Sequence, residues 1–87
     1  MESFVYILQC ADETLYTGWT VDPEKRLAAH NAGKGSKFTR TRLPVKMIYL
    51  RKVQDERLAK QLEISIKKMT RTQKMLLIQQ NNELSGG

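Results

Sequence analysis

The first 20 residues have the hydrophobic pattern of two short strands. The segment SFVYILQC places Phe4, Tyr6 and Leu8 on one face of a strand and Val5 and Ile7 on the other, so both faces are apolar. A strand that is apolar on both faces is covered on both sides, which predicts a central position in a sheet. The polar turn ADET and the segment TLYTGWT then predict a second strand, paired with the first as a β-hairpin.

A helix start signal follows the second strand. Asp22 can cap free backbone amides, Pro23 suits the first helical position, and Glu24 lies at the positive end of the helix dipole. We expect this helix to run to about Ala32 and to end at Gly33.

A loop and a third strand come next. The segment GKGSKFTRTRLP predicts a basic loop with one helical turn, which ends at Pro44. The segment VKMIYLRKV predicts a strand, with Ile48 and Leu50 on the face opposite Met47 and Tyr49.

The rest of the chain has a helical period. An apolar stripe at i, i+4, i+8 and i+11 predicts a helix from about residue 54 to 69. The stripe consists of Leu58, Leu62, Ile66 and Met69. Thr70 and Gln73 fit a capping box, so a separate last helix begins there. Its expected apolar anchors are Met75, Leu76 and Ile78.

These elements predict an α+β fold with the order ββαβαα. A small three-stranded antiparallel sheet is flanked by helices, in a single domain over residues 1–87. We expect the tail NNELSGG to fray from about residue 82.

Charge is distributed unevenly along this pattern. The net charge is +6, and no Asp or Glu occurs between Glu24 and Asp55. That interval carries the cations Lys25, Arg26, Lys34, Lys37, Arg40, Arg42, Lys46, Arg51 and Lys52. A block of one sign attracts polyanions, so we favour a nucleic-acid partner over a merely solvated basic surface.

Cysteine content and the N-terminal segment bear on the cellular location. The single cysteine, Cys10, excludes an internal disulfide and argues against a zinc finger. The segment MESFVYIL has an acid where a signal peptide has basic residues, and its apolar run is too short for a membrane span. We therefore expect a cytoplasmic protein.

Five polar residues are candidates for chemistry. Tyr6 and Tyr16 lie on the two hairpin strands, where a tyrosine usually packs in the core. Arg26 and His30 are spaced i, i+4 on one helix face, although a single histidine is more often structural than catalytic. Glu63 lies about 100° from the centre of the apolar stripe. A carboxylate there would meet either a salt-bridge partner or a hard divalent cation.

Taken together, these residues resemble a known family. FVY at residues 4–6, YTG at 16–18, Arg26 followed by His30, and Glu63 on a later helix resemble the GIY-YIG nucleases over residues 4–78. The stretch YTGWTVDPEKRLAAHNAGKGSKFTR is similar to the small single-domain branch and to the catalytic domain of junction-cutting, structure-specific nucleases. The resemblance implies a metal-dependent endonuclease that acts on DNA.

The resemblance assigns roles to individual side chains. Tyr6 and Tyr16 match the two motif tyrosines, and Gly18 matches the glycine of the second motif. Phe4 stands where the first motif has its glycine, which we expect to change packing at the start of the strand.

The remaining matches supply charge and a proton acceptor. Arg26 matches the phosphate-contacting arginine, His30 matches a histidine present in many members, and Glu63 matches the glutamate that binds Mg²⁺ or Mn²⁺. On this hypothesis His30 takes a proton from the tyrosine, while Arg26 holds the phosphate and lowers the pKa of the phenol. The family's C-terminal asparagine has no counterpart here, because Asn81 and Asn82 lie in the tail and Asn31 lies elsewhere.

The basic loop is expected to bind flanking phosphates. Its cations are Lys34, Lys37, Arg40 and Arg42, with Ser36 and Thr39 as hydrogen-bond donors. Phe38 either stacks on an unpaired base or anchors the loop. We expect Trp19 and Tyr49 to lie in the core.

Three functions remain open from the sequence. The first is a DNA endonuclease directed by structure rather than by sequence, because a small basic module contacts the backbone more readily than base edges. The second is a nucleic-acid-binding module of the same fold with little or no turnover. The third is a basic interaction protein that docks through the helix over residues 75–78. Glu63 separates the first two, since a metal site needs it and a pure binder does not.

Overall fold

The first strand lies at the centre of the sheet, as its two apolar faces predict. The computed structural model describes residues 1–81. The strands are β1 (Ser3–Gln9), β2 (Leu15–Thr20) and β3 (Lys46–Val53), in the order β2-β1-β3 and antiparallel throughout. The helices are α1 (Pro23–Asn31), the single turn α2 (Lys37–Arg40), α3 (Glu56–Lys67) and α4 (Arg71–Asn81). The predicted α+β fold and element order are confirmed, and the predicted frayed tail lies outside the described residues.

Helices α3 and α4 cover one face of the sheet. The buried residues of this face are Val5, Ile7, Tyr49, Ala59, Ile66 and Ile78. Tyr49 is therefore a core residue as predicted, whereas Trp19 is only partly buried against this core. Each buried aliphatic side chain contributes about 1.5–3 kcal/mol, so this layer is the main source of stability.

Two predicted anchors of these helices are wrong. Leu58 and Leu76 are exposed, and Ala59 and Leu77 pack inward instead. The other members of the predicted stripe, and the anchors Met75 and Ile78, pack against the core. The errors arise because the surface that a helix covers sets its rotation about its own axis. Sequence spacing alone predicts the inward-facing residues only to within one position.

The alternation predicted for β3 is also wrong. Ile7 pairs with Tyr49 and Leu8 pairs with Met47, so Ile48 is an extra residue in the strand. Such a bulge resets the alternation beyond it. Consequently Ile48 and Tyr49 both pack towards α3 and α4, whereas Met47 and Leu50 pack on the opposite face.

The helix caps follow the sequence signals. The Asp22 carboxylate accepts a hydrogen bond from the Lys25 amide at 3.1 Å, and Gly33 adopts φ +78° just after α1. At the start of α4, the Thr70 amide donates to the Gln73 side chain at 2.9 Å, and the Gln73 amide donates back to Thr70 Oγ1 at 3.2 Å. This reciprocal pair is the predicted capping box. No helix over residues 1–81 has the length and apolar character needed to cross a bilayer.

Candidate active site

The hairpin register places both tyrosines on the face opposite α3 and α4. Tyr6 pairs with Gly18 and Leu8 pairs with Tyr16, and directly paired residues share a face. A Cβ atom at position 18 would lie 2.5 Å from Tyr6 Oη and 2.6 Å from its Cζ. The Tyr6 ring therefore lies across Gly18, and only glycine leaves room for it.

His30 connects α1 to this tyrosine. Tyr6 Oη lies 3.1 Å from His30 Nε2, and both side chains are buried. The rings of Tyr16 and His30 also meet edge to face, with centroids 5.3 Å apart. A Cβ atom at Gly35 would collide with the His30 ring, so a second glycine makes room for the site.

A buried hydroxyl holds the other side of the His30 ring. Thr39 Oγ1 lies 2.8 Å from His30 Nδ1 and 3.0 Å from Ser36 Oγ. Its own hydroxyl proton can go to Ser36, so Thr39 can accept from a protonated Nδ1. That arrangement leaves Nε2 as the acceptor for the Tyr6 hydroxyl. The prediction that Thr39 donates to a DNA phosphate is wrong, because Thr39 is fully buried.

Burial determines the protonation of this pair. The pKa of Tyr6 is raised well above its ordinary value, first by burial and then by the nearby Tyr16, while Arg26 acts in the opposite direction. The expectation that Arg26 lowers the phenol pKa is thus outweighed by burial. The pKa of His30 is lowered by burial and by the Arg26 charge. At neutral pH the pair is a protonated phenol that donates to a neutral imidazole.

One cleft of about 450 Å³ brings the predicted catalytic residues together. Among the side chains that line it are Tyr6, Tyr16, Arg26, His30 and Glu63, together with the backbone of Gly18. Trp19, Thr20 and Val21 of the β2 edge complete much of its wall. The cleft thus joins residues from β1, β2, α1 and α3, which are far apart in sequence.

Glu63 contributes a carboxylate to the α3 wall of the cleft. Its side chain is 18% exposed, and its Oε2 lies 3.6 Å from Lys67 Nζ. Residues 1–81 contain no cluster of three His, Cys, Asp or Glu side chains suited to a metal. A hard cation such as Mg²⁺ accepts one carboxylate together with waters and phosphate oxygens, so Glu63 in an open cleft fits such an ion.

A second carboxylate in the cleft was not predicted. Glu56 lines the same wall, with its Oε1 3.8 Å from Lys60 Nζ. Its spacing of seven residues from Glu63 corresponds to about two helical turns, which places both on one helix face. This spacing is visible in the sequence and could have indicated that Glu56 lies beside Glu63.

The predicted phosphate-binding loop divides into two parts. Lys34, Lys37 and Arg40 are exposed, as a backbone contact requires. Arg42 instead donates to Asp12 Oδ2 at 3.1 Å and to the Phe38 carbonyl at 2.7 Å. These contacts compete with a phosphate, so the structure gives Arg42 mainly a role within the loop.

The structure contradicts one of the two predicted alternatives for Phe38, the buried anchor, and stacking on an unpaired base stays a prediction. Its ring is 38% exposed, so it is not a buried anchor. One face stacks on Tyr16, with centroids 6.0 Å apart and planes at 23°, and the Arg42 guanidinium lies 4.0 Å from the ring centroid. Phe38 therefore forms a partly exposed wall beside Tyr16.

Comparison with known proteins agrees with this geometry. A family model described as the GIY-YIG catalytic domain matches residues 2–76. The chain belongs to the GIY-YIG family. GIY-YIG domains are nuclease domains that are generally dependent on divalent metals, and membership indicates a DNA-binding, nuclease-type fold.

Several relatives of similar length support the assignment to a small branch of the GIY-YIG family. A UPF0213 protein of Syntrophus aciditrophicus is 52% identical over 83 residues, which cover 94% of this chain and 95% of that one. A UPF0213 protein of Clostridium perfringens is 54% identical over 76 residues, covering 87% and 82%.

Solved structures show the same fold. The solution structure of a UPF0213 protein from Bacillus halodurans has a TM-score of 0.62 and 33% identity, covering 97% of this chain and 89% of that one. A solution structure from E. faecalis has a TM-score of 0.59 and 36% identity, covering 88% and 83%. The predicted GIY-YIG resemblance is confirmed.

Proposed function

We propose that this protein is a metal-dependent endonuclease that hydrolyses DNA phosphodiester bonds in the cytoplasm and is directed by DNA structure rather than by sequence. The observation that carries the proposal is the single cleft lined by Tyr6, Tyr16, Arg26, His30 and Glu63. Phosphodiester hydrolysis needs a proton acceptor for water, positive charge on the phosphate, and stabilisation of the departing alkoxide. Each requirement has a candidate side chain in this cleft.

The proton acceptor is the Tyr6–His30 pair. Because burial keeps the phenol protonated, Tyr6 does not act as a free tyrosinate. Instead, water transfers a proton to Tyr6 Oη while the phenol proton moves to His30 Nε2, 3.1 Å away. The neutral imidazole becomes an imidazolium, the hydroxide oxygen attacks phosphorus, and the P–O bond to the departing alkoxide breaks.

Arg26 and Tyr16 hold the phosphate. The Arg26 guanidinium can form a bidentate, charge-assisted pair with phosphate oxygens. Tyr16 is half-buried at the cleft and can donate its hydroxyl to the same group. A divalent cation, Mg²⁺ or Mn²⁺, held by Glu63 would supply positive charge for the phosphate and the departing oxygen. Lys34, Lys37 and Arg40 would contact flanking phosphates, which carry no sequence information.

The test compares cleavage by the wild type with matched charge variants. Branched, duplex and single-stranded DNA are incubated with Mg²⁺ or Mn²⁺ and each of Glu63→Gln, Glu24→Gln, Arg26→Gln and Arg57→Gln. Glu24 and Arg57 are exposed and do not line the cleft, so they serve as controls. We expect cleavage of branched DNA by the wild type and both controls, and its loss in Glu63→Gln and Arg26→Gln. Equal cleavage by all five proteins, or by none, would overturn the proposal.

A binding module with little or no turnover is the second candidate. It is favoured by one contact, the ion pair of Glu63 with Lys67, which partly neutralises the only carboxylate that the family resemblance assigns to the metal. This candidate predicts salt-dependent DNA binding by the wild type without cleavage. It further predicts that Glu63→Gln binds DNA as well as the wild type, with or without divalent metal.

A further inference from the structure

Two further clefts lie beside the catalytic cleft, one at each end of the edge strand β2. Towards the end of β2, the catalytic cleft shares Thr20, Val21 and Arg26 with a neighbouring cleft that also contains Lys25. Towards the start of β2, it shares Tyr16 with a cleft of about 230 Å³. That second cleft is lined by Leu15, Tyr16, Thr17, Phe38, Lys67 and Lys74. We call these three neighbouring clefts the β2 groove.

The β2 groove has cations at both ends. Lys25 and Arg26 lie at the Thr20 end, together with the carboxylate of Asp22. Lys67, which is ion-paired with Glu63, and Lys74 lie at the Leu15 end. Among the described residues, the lining of the Leu15 end contains these two lysines and no carboxylate. Lys74 forms no ion pair within residues 1–81 and is half-buried, so its charge is held at the groove.

The side walls of the Leu15 end combine an aromatic ring with a buried hydroxyl. Phe38 stacks on Tyr16 and has the Arg42 guanidinium 4.0 Å from its ring centroid. The Thr17 hydroxyl is buried and has no hydrogen-bond partner within the described part of the chain.

We infer that the DNA strand beside the cleaved bond runs along the β2 groove, and that Lys74 binds one of its phosphates on the side away from Arg26. The inference rests on the proposed function for the position of the cleaved phosphate. Lys67 on α3 and Lys74 on α4 both lie outside the basic loop that the sequence predicted to bind phosphates.

The test measures DNA binding without divalent metal, so cleavage does not enter. Fluorescence anisotropy gives the affinity of a 12-nucleotide single strand, at several salt concentrations, for the wild type, Lys74→Gln, Lys74→Arg and Lys46→Gln. Lys46 is an exposed lysine on β3, at the opposite edge of the sheet, and is the matched control. Loss of one phosphate contact should reduce the slope of log affinity against log salt by about 0.7 and weaken binding roughly fivefold near 0.1 M salt.

We expect that loss for Lys74→Gln only. Equal affinities and slopes for Lys74→Gln and Lys46→Gln would overturn the proposal that DNA binds along the β2 groove. Amide shifts of the wild type in the NMR spectrum provide a second measurement that needs no variant. Added single strand should shift residues 15–17, Lys67 and Lys74, and shifts confined to residues 34–42 would contradict the inference.

The groove and the proposed function can fail separately. If the wild type cleaves DNA and Lys74→Gln binds it with unchanged affinity, the proposed endonuclease activity stands and the proposed DNA path along the β2 groove is wrong. If Lys74→Gln binds DNA more weakly and the wild type does not cleave it, the DNA path along the β2 groove is supported and the proposed endonuclease activity is wrong.

Discussion

Tyr6 Oη lies 3.1 Å from Nε2 of His30, in a site where the two side chains are only 2% and 1% exposed. The contact joins the central strand to the first helix across 24 residues of sequence. Burial raises the pKa of the phenol, so Tyr6 keeps its proton and can donate it to His30. Tyr6 is therefore both a core residue and one half of a proton-transfer pair.

Removing the phenol oxygen should abolish cleavage and lower stability. Tyr6→Phe keeps the ring against Gly18 but leaves Nε2 of His30 without its partner. We expect the cleavage rate to fall by about 10²–10⁴-fold, the usual contribution of a positioned acid or base. The unpaired nitrogen should lower the free energy of unfolding by about 1–3 kcal/mol, as measured by urea denaturation.

Tyr49→Phe is the matched control, because Tyr49 is a buried tyrosine on the opposite face of the sheet. This variant should cleave branched DNA at the wild-type rate. A cleavage rate that is the same in Tyr6→Phe and the wild type would contradict the proton-transfer role.

Thr39 should determine which nitrogen of His30 carries the proton. Its Oγ1 lies 2.8 Å from Nδ1, so Thr39→Val removes the acceptor while keeping the side-chain volume, and Thr39→Ser retains the hydroxyl. We expect the ¹⁵N chemical shifts of His30 to indicate an Nδ1–H tautomer in the wild type and Thr39→Ser, and a mixture in Thr39→Val. Cleavage should fall in Thr39→Val and be restored in Thr39→Ser. An unchanged tautomer in Thr39→Val would show that Thr39 only packs.

Stability should depend on pH through His30. Burial lowers its pKa in the folded protein below the ordinary value of 6.5, so below that pH the unfolded chain binds a proton that the folded chain does not. The free energy of unfolding should therefore rise with pH up to about 6.5 and then level off. The pKa of Asp12 is lowered chiefly by its hydrogen bond with Thr14, so Asp12 titrates in a more acidic range.

Urea denaturation between about pH 5 and pH 8 measures this dependence. In His30→Gln, which cannot titrate, the rise below pH 6.5 should be smaller than in the wild type. The same rise in both proteins would assign the effect to other groups.

Gly18→Ala should act through Tyr6. The added methyl would lie 2.5 Å from Tyr6 Oη, so the ring must move away from His30. We expect a loss of cleavage and a destabilisation of about 1–3 kcal/mol, which is typical of overpacking. In the double variant with Tyr6→Leu the clashing Oη and Cζ atoms are both gone, so the two single-variant stability losses should sum to more than the loss of the double variant. Strict additivity would mean that position 18 and Tyr6 do not touch.

Local signals in the sequence determined most of the fold. Asp22, Pro23 and Gly33 bound the first helix, and Thr70 with Gln73 begins the last, because capping depends only on residues within one turn. The two apolar faces of β1 identified the central strand. The motif residues identified the family and named the side chains that line the cleft.

Other features depend on contacts between distant segments, and only the tertiary structure decided them. The extra residue Ile48 reversed the alternation in β3, and the rotation of α3 exposed Leu58 and turned Ala59 inward. Thr39 was expected at a phosphate because it lies in a basic loop, yet folding buries it against His30. Sequence spacing specifies which residues share a face of one helix or strand. What each face meets, and therefore the charge and protonation of the site, is decided by packing between elements.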